Sequence, residues 1–523
     1  MIGAGINGAG IARDATIRGL KVLLLDRGDI GGGTSSWSTR LIHGGLRYLE
    51  YSEFGLVRES LRERECLMNI APHLIRPFPI LVPIYENSRR GPWTIRAGMF
   101  AYDLLSFGKT LPRHRILSRV ETLKEAPTLE PNRLLGAAIY YDAQVEFAER
   151  LVLENAISAA EHGAEVITYA RVNEFIVEEG LVGRVDFTSE LNGASQSVQS
   201  KIVINAAGPW VDDLLEKTGT ASPRLIGGTK GSHVIVAPFS GAPATAIYVE
   251  AQADCRPFFI IPWNDNYLIG TTDIRYRGDL DQVQIGADEA DYLLSETNRV
   301  IPKANLDRSK ILYTYSGVRP LPYTNDKDEQ SITRRHFIRQ HPQLANLLSI
   351  VGGKLTTYRS LAKETVDMVF RKLGQTIPKC VTDQQPLPGA NTSDLDAFGK
   401  DFKQQSGLPE AISNRLLRIY GVRAAEVLKL TAADPLPVEV FDDETQAIAA
   451  EVIYAFRNEM AQTLTDCLLR RTMVGLNSTC GLHAVEPAAK IAQKQLGWSE
   501  SRTQQEIRAY QNHVERFRVP HNL

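Results

Sequence analysis

The sequence predicts an α/β protein with three parts: a Rossmann-like dinucleotide-binding domain, a β-sheet substrate (cap) domain and an all-α C-terminal domain. Three observations support this fold class. A glycine-rich turn occupies residues 3–8, and helical and strand-like apolar patterns then alternate to about Arg371. A proline-rich stretch follows at 376–393. Beyond it, apolar residues recur mainly at helical spacing, as in the segment 444–469, which predicts a separate helical domain.

The glycine turn carries a dinucleotide fingerprint. Gly3, Gly5 and Gly8 match GxGxxG, in which the glycines allow a tight turn, close approach to a pyrophosphate and packing of the next helix. The N-terminus of that helix, next to Asn7, would bind the anion. Asp26 ends a short apolar run eighteen positions after Gly8, where a carboxylate binds an adenosine ribose. An isolated GxGxxG is weak evidence, but turn, helix, strand and acid in this order predict dinucleotide binding.

The strand that should precede the turn is short in this sequence. Only Met1 and Ile2 come before Gly3, whereas strands are usually about five or six residues long. We therefore expect the natural protein to carry an upstream apolar run of roughly five residues.

A second glycine-rich block, at residues 31–45, favours FAD over NAD. It carries hydroxyl groups that suit the pyrophosphate and ribityl chain of a long cofactor, although a solvated serine-rich turn would have a similar composition. A second buried-strand pattern ends on Ala206, Ala207 and Gly208, where small residues allow a cofactor to approach closely. The hydroxyl groups belong to Thr34, Ser35, Ser36, Ser38 and Thr39.

Composition limits the class of protein. The 523 residues carry a net charge of −2, which argues against general nucleic-acid binding because that requires a basic face. The five cysteines form no CxxC pair, which favours a reducing, cytoplasmic compartment. No apolar run reaches the roughly 18 residues of a membrane span, and no signal peptide is evident. His336 and His341 belong to no metal-ligand pattern, so no metal is expected.

The motifs are interleaved along the chain, which predicts domains built from discontinuous segments. The expected segments are 1–80, 140–220 and 335–375 for the cofactor domain, 80–140 and 220–335 for the substrate domain, 376–393 for the linker and 394–523 for the helical domain.

Five stretches carry a resemblance to a known family. They are Gly3–Asp14, Gly33–Glu50, Lys230–His233, Tyr315–Leu321 and Gly352–Arg359. The chain resembles the FAD-dependent (aerobic-type) glycerol-3-phosphate dehydrogenases of the D-amino-acid-oxidase-like flavoprotein superfamily, and the resemblance spans most of its length. It implies FAD as the cofactor and the domain layout given above.

The resemblance also implies the reaction. Members of this family oxidise sn-glycerol 3-phosphate to dihydroxyacetone phosphate by hydride transfer from C2 to the flavin. Bacterial members pass the electrons to a quinone and bind peripherally to the inner face of the cell membrane. Two alternatives stay open: an oxidase that reduces oxygen, and a non-catalytic flavin-fold binding protein. A homodimer is also left open.

The matching blocks contain the candidate site residues. The expected catalytic residues are His233, Arg319 and Lys354, and the expected substrate-binding residues are Arg47, Tyr48, Lys230, Arg334 and Thr357. The expected cofactor-binding residues are Gly3, Gly5, Asn7, Gly8, Asp26, Thr34, Ser35, Ser36, Ser38, Thr39, Leu41, His43, Gly45, Val172, Gly208, Gly353, Leu355 and Thr356.

The chemistry of these side chains suggests their roles. A guanidinium group offers a planar donor fork that matches phosphate oxygens, although surface or interdomain ion pairs are common alternatives. Arg335 competes with Arg334 for this role. His233 is a candidate base because imidazole titrates near neutral pH. Alternatively, Lys354 and Arg319 polarise the hydroxyl group and water takes the proton. His43 is expected to pack beside the flavin.

The segment 89–115 joins basic ends to an aromatic and apolar centre that includes Trp93, Phe100 and Phe107. This pattern is typical of an interfacial segment that binds a membrane surface. The alternative is a helix packed inside the substrate domain. The resemblance favours membrane association.

Overall fold

The computed structural model describes residues 1–106, 110–324, 332–431 and 438–520. Its helices, in chain order, are α1 (Ile6–Ile17), α2 (Phe54–Ile70), α3 (Pro92–Leu105), α4 (Arg119–Glu125), α5 (Ala148–Glu161), α6 (Val211–Glu216), α7 (Ala287–Val300), α8 (Tyr358–Lys372), α9 (Leu395–Ser406), α10 (Glu410–Tyr420), α11 (Ala424–Lys429), α12 (Ala449–Asn458), α13 (Leu464–Asp466), α14 (Val485–Leu496) and α15 (Glu500–Val514).

The strands form a parallel nucleotide-binding sheet, one large mixed sheet and smaller antiparallel sheets. In chain order they are β1 (Leu23–Leu25), β2 (Leu41–Ile42), β3 (Ile75–Tyr85), β4 (Arg115–Ser118), β5 (Leu134–Val145), β6 (Glu165–Ile167), β7 (Ala170–Glu178), β8 (Leu181–Ser189), β9 (Ser195–Val198), β10 (Val203–Asn205), β11 (Thr229–Val236), β12 (Ala246–Glu250), β13 (Pro257–Trp263), β14 (Asn266–Gly270), β15 (Ile274–Arg275), β16 (Ile311–Arg319), β17 (Phe337–Gln340), β18 (Leu347–Val351), β19 (Val440–Asp442) and β20 (Ala447–Ile448).

Parallel pairs form the centre of the cofactor domain. β1 pairs with β6, and β10 pairs with β18. The first three residues lie between these pairs, because the Gly3 amide donates to Leu25 O and the Ile2 amide donates to Ile204 O. Helix α1 then begins at Ile6 and packs between α5 and α8. The glycine turn therefore follows a central position of a parallel sheet, as its fingerprint requires.

The large sheet has the strand order β15-β11-β14-β13-β12-β3-β5-β2, with β16 on β11 and β4 on β5. On one face, Val234, Phe258 and Ile269 share a core with Leu293 of α7. β3 and β5 reach five residues beyond the expected 80–140 segment, and β2 comes from the segment assigned to the cofactor domain. The strands of this one sheet therefore come from segments that were expected in both domains.

The C-terminal domain is helical but also contains the short antiparallel hairpin β19–β20. Its attachment to the cofactor domain is ionic as well as apolar. Arg471 donates to both carboxylate oxygens of Asp29, at 2.6 and 2.7 Å, and Arg150 pairs with Glu459 in a fully buried ion pair. The domain is thus docked firmly on the loop that follows the nucleotide strand.

The expected linker at 376–393 packs against the cofactor domain. Leu387 is fully buried, and its amide donates to Ile70 O. Arg13 of α1 donates to the Gln385 carbonyl at 2.7 Å. Across the described ranges, no helix is both long and apolar enough to span a membrane.

Candidate active site

One large cavity, of about 1290 Å³, lies where the cofactor domain, the large sheet and the C-terminal helices meet. Typical ligand pockets hold roughly 300–1,000 Å³, so this one has room for a large ligand. The predicted site residues on its wall are Gly3, Gly5, Asn7, Asp26, Thr34, Ser35, Ser38, Thr39, Leu41, His43, Tyr48, Val172, Gly208, His233, Arg319, Arg334, Gly353, Lys354, Leu355 and Thr356. Those that are not on its wall are Gly8, Ser36, Gly45, Arg47, Lys230 and Thr357.

The glycine turn is packed too tightly to accept a side chain. Gly3 has a φ of +103°, and a Cβ added there would lie 2.5 Å from Ala206 O. A Cβ on Gly8 would lie 1.8 Å from Gly3 O, so Gly8 shapes the turn from behind the cavity wall. Asp26 accepts a hydrogen bond of 2.6 Å from the Ala4 amide, and burial raises the pKa of its carboxyl group.

The hydroxyl groups of the second glycine block have divided roles. Ser35 Oγ accepts a 3.0 Å hydrogen bond from the Ile6 amide at the start of α1. Thr34 donates to Val318 O at 2.6 Å. Ser36 is buried, and its hydroxyl donates to Gly31 O at 2.7 Å. The prediction that Ser36 contacts the cofactor does not fit this geometry, because its side chain stabilises the loop instead.

A second glycine turn, Gly352–Gly353, faces the first. Both glycines have positive φ, and a Cβ on Gly353 would lie 3.3 Å from Asn7 Nδ2. Asn7 Oδ1 is buried and has no hydrogen-bond partner among the described residues. On the same wall, Thr356 Oγ1 accepts a 3.2 Å hydrogen bond from the His43 amide. Two backbone cradles, a helix N-terminus and a carboxylate at the ribose position fit a dinucleotide that carries a flavin.

A pair of arginines lies beside this cavity. Arg319, at the end of β16, donates to Asp273 Oδ1 at 3.0 Å and to Thr271 Oγ1 at 3.0 Å. Arg334 donates to the other Asp273 oxygen at 2.9 Å. Burial alone would raise the pKa of Asp273, but the two guanidinium groups hold it below its usual value. One carboxylate thus orients two cations and neutralises only one of them.

A third cationic side chain, Lys354, lies near this pair of arginines. Its Nζ donates to Ser60 Oγ at 2.9 Å and to His43 O at 3.3 Å, and lies 4.8 Å from the ring centre of Tyr48. Burial lowers the pKa of Lys354 to about 8. Gly45 packs against these two side chains and leaves no room for a larger residue. A Cβ there would lie 2.2 Å from the Tyr48 ring and 3.3 Å from Lys354 Nζ.

His233 projects from β11 into the cavity. Its Nε2 lies 3.0 Å from Thr39 Oγ1, and its ring packs on Tyr315 with centres 4.7 Å apart. The buried Nδ1 has no hydrogen-bond partner within the part of the chain that is described. Burial and the nearby Arg319 and Arg40 lower the pKa of His233 well below its usual range. Burial and these two positive charges therefore favour the neutral imidazole over the charged form.

Lys230 does not belong to this group. Successive side chains of a strand point to opposite faces, so Lys230 lies on the face of β11 opposite His233 and Gly231. Its Nζ forms an ion pair of 2.6 Å with Glu289 of α7 and donates to Gln284 O. The prediction that Lys230 binds substrate is therefore not supported, since its charge is already neutralised on the far side of the sheet.

The remaining predicted residues lie near the wall. Thr357 is buried behind the second glycine turn, so direct substrate contact does not fit its position. Arg47 is half-buried beside Tyr51. Burial lowers the pKa of His43 to about 3, and the charges of Lys354 and Arg47 act in the same direction. Arg335 is exposed, so the structure favours Arg334 over it.

Sequence reasoning missed one cluster with metal-binding chemistry. Ligand atoms of Glu59, His336 and Glu364 all lie within 4.8 Å of one another. His336 Nε2 is 3.0 Å from Glu364 Oε2, so a hydrogen bond between these two side chains explains their proximity. The expectation that His336 has no potential co-ligands is thus corrected. His341 instead lies 3.5 Å from Thr220 Oγ1.

Sequence reasoning also missed Asp273 and the C-terminal wall. Asp273 follows β14 within the run Gly270-Thr-Thr-Asp, a strand followed by small polar residues, and that pattern could have marked it. Nothing in the helical periodicity of α15 indicated that His513, or Arg516 in the turn that follows this helix, lines the cavity.

Comparisons with known proteins show which family this chain belongs to. Residues 1–368 match the model of the FAD dependent oxidoreductase family, and residues 380–503 match the C-terminal domain of alpha-glycerophosphate oxidase. A glycerol-3-phosphate dehydrogenase from Synechocystis is 46% identical, over 99% of this chain and 96% of the relative. The chain belongs to the family of FAD-dependent glycerol-3-phosphate dehydrogenases.

More distant members of the family lead to the same assignment. An aerobic glycerol-3-phosphate dehydrogenase from Staphylococcus haemolyticus is 33% identical over 90% of this chain and 86% of the relative. The structure of the glycerol-3-phosphate dehydrogenase from Bacillus halodurans, complexed with FAD, superposes with a TM-score of 0.80 at 27% identity, over 100% of this chain and 95% of that one. FAD is therefore the cofactor of this chain, and the predicted flavoprotein fold is confirmed.

Proposed function

We propose that this chain oxidises sn-glycerol 3-phosphate to dihydroxyacetone phosphate, with the substrate phosphate held by Arg319 and Arg334. The observation that carries the proposal is the pair of guanidinium groups oriented by one carboxylate, Asp273, on the wall of the flavin cavity. A single carboxylate leaves a net positive charge there. A dianionic phosphate is the natural partner for two planar donor forks.

A free donor supports this use of the arginines. Arg334 Nη1 is buried and has no hydrogen-bond partner among the described residues. A buried donor without a partner costs about 1–3 kcal/mol, so a phosphate oxygen at this position would recover that cost.

The flavin, when bound, accepts the hydride from C2, and the protein must take the hydroxyl proton. We assign proton acceptance to Lys354. A base is most effective when its pKa lies near the working pH, and burial lowers the pKa of Lys354 to about 8. His233 is a much weaker base in this setting, so its neutral imidazole orients the hydroxyl group by accepting a hydrogen bond.

We further propose that the electrons leave to a membrane quinone and that α3 docks the protein on the inner face of the cell membrane. One face of this helix packs inside the protein, as the alternative prediction expects, because Ile95, Met99 and Tyr102 are buried. The opposite face presents Trp93 at 79% exposure and Phe100 at 68%. Such a stripe, flanked by arginines, suits a lipid interface. Phe107 lies outside the described residues.

The proposed reaction is tested by anaerobic titration of the purified, yellow holoprotein. Glycerol 3-phosphate should bleach the flavin, whereas glycerol, which lacks the phosphate, should not. Re-oxidation by a quinone analogue without hydrogen peroxide supports the dehydrogenase, and stoichiometric peroxide in air supports an oxidase. Failure of glycerol 3-phosphate to bleach the flavin would contradict the proposal.

A further inference from the structure

A segment near the end of the described chain forms part of the cavity wall. It comprises α15 and the turn Glu515–Phe517, and most of it lies beyond residue 503, where the second family match ends. Gln505, Ala509, His513 and Arg516 all line the large cavity. A C-terminal helix thus contributes directly to a site whose other walls belong to the cofactor and substrate domains.

Contacts of Tyr510 and Phe517 hold the part of this segment that carries His513 and Arg516. Tyr510 is fully buried, and its hydroxyl donates to Cys480 O at 2.6 Å inside the C-terminal domain. At the other end, Phe517 O accepts a 3.0 Å hydrogen bond from Thr314 of β16, and the Phe517 ring lies 5.4 Å from that of Trp37 in the second glycine block. The position of the intervening side chains is therefore well defined.

The neighbours of this segment indicate which half of the cofactor it approaches. Arg516 donates to Asp281 O at 3.2 Å, and the Asp281 carboxylate pairs with Arg27, the residue directly after Asp26. Arg470, whose charge acts on both His513 and Arg516, pairs with Asp29. The segment therefore meets the cavity at the loop that follows the ribose-binding acid.

Two polar groups on this wall lack full partners. His513 Nε2 is buried without a hydrogen-bond partner among the described residues. Arg516 contacts a backbone carbonyl, and its charge is placed near that of Arg470, which is itself held between Asp29 and Asp466. Burial and Arg470 lower the pKa of Arg516, and the nearby Asp281 carboxylate, which is already paired with Arg27, offsets this only in part. An anionic ligand would stabilise both groups.

We propose that His513 and Arg516 bind the adenosine diphosphate half of FAD and that α15 closes this half of the cofactor site. The pyrophosphate supplies the negative charge that Arg516 lacks, and the ribose or phosphate oxygens supply hydrogen-bond partners for His513. Retention of the flavin therefore depends on the docking of the C-terminal domain through the ion pairs that Arg470 and Arg471 form with Asp29.

The test measures cofactor affinity rather than turnover. Apoprotein is prepared from wild type, His513→Ala, Arg516→Ala and Arg516→Lys, and from Arg508→Ala, which alters an exposed arginine of the same helix that does not line the cavity. Dissociation constants are measured for FAD, for ADP, which represents the adenosine half, and for FMN, which lacks it. Melting of each apoprotein reports on folding.

We expect Arg516→Ala to weaken FAD and ADP about tenfold, equivalent to about 1.4 kcal/mol, with FMN unchanged. His513→Ala should act in the same direction and Arg516→Lys should recover part of the loss. Affinities for FAD and ADP that match those of Arg508→Ala would overturn the proposal. Equal weakening of FAD, ADP and FMN would also overturn it, because that result indicates a general loss of structure.

Discussion

Arg319 donates a 3.0 Å hydrogen bond to the carboxylate of Asp273, and this contact fixes the direction of a half-buried guanidinium on the wall of the flavin cavity. The opposite carboxylate oxygen accepts from Arg334. Because one anion is shared by two cations, the guanidinium pair is held in place while keeping positive charge for a phosphate.

Replacement of Arg319 should remove phosphate recognition. Arg319→Ala and Arg319→Lys are both expected to lower kcat/KM for glycerol 3-phosphate by more than about tenfold, or 1.4 kcal/mol, since lysine cannot reproduce the planar fork. Flavin content should stay normal. Near-normal steady-state kinetics in both variants would remove Arg319 from the site.

Gly231→Ala should displace the guanidinium group of Arg319. A Cβ at this position would lie 2.2 Å from Arg319 Nη2 and 2.6 Å from Thr271 Oγ1, so the arginine must move. We expect kcat/KM to fall by about tenfold with flavin absorbance unchanged. Gly55→Ala is the matched control, because a Cβ there meets nothing within 4 Å. Equal kinetics in the two variants would show that the position of Arg319 is unimportant.

The pH dependence should identify Lys354 as the proton acceptor. A base must be unprotonated to act, so kcat/KM should rise with pH and level off above a pKa of about 8. Lys354→Met should lower kcat by about 10²–10⁴ and remove this acidic limb. His233→Asn should lower the rate but retain the limb. Persistence of the limb in Lys354→Met would assign the proton to another group.

Membrane docking should depend on the outer face of α3. Phe100→Asp is expected to release the protein from anionic liposomes at low salt, because a charge replaces an apolar contact, while flavin content stays constant. Val120→Asp, which alters another exposed apolar residue at 80% exposure on α4, should have no such effect. Wild-type protein that does not float with these liposomes would refute the docking proposal.

Short motifs could be predicted from the sequence where the backbone geometry of a turn dictates the residue type. The glycine positions of the first turn follow such a rule, because close packing at Gly3 and Gly8 tolerates no Cβ. Lys230 was misplaced because a motif marks a strand but not the phase of its pleat, and here Glu289 takes its charge.

Long-range partners were not predictable from the sequence. Asp273 and Arg334 meet across sixty-one positions of sequence. The wall provided by His513 depends on how the C-terminal domain docks through the pair Arg471–Asp29, which no local pattern encodes. Tertiary packing, rather than periodicity, brings these groups to the cavity.

The most direct test of the central claim is single-turnover reduction of the flavin under anaerobic conditions by glycerol 3-phosphate deuterated at C2. If Arg319 and Arg334 hold the phosphate so that C2 faces the flavin, the C2-deuterated substrate should reduce the flavin more slowly than the unlabelled substrate. Deuterium at C1 should leave the rate unchanged. A flavin that is not reduced, or one reduced equally fast by the unlabelled and the C2-deuterated substrates, would contradict the account.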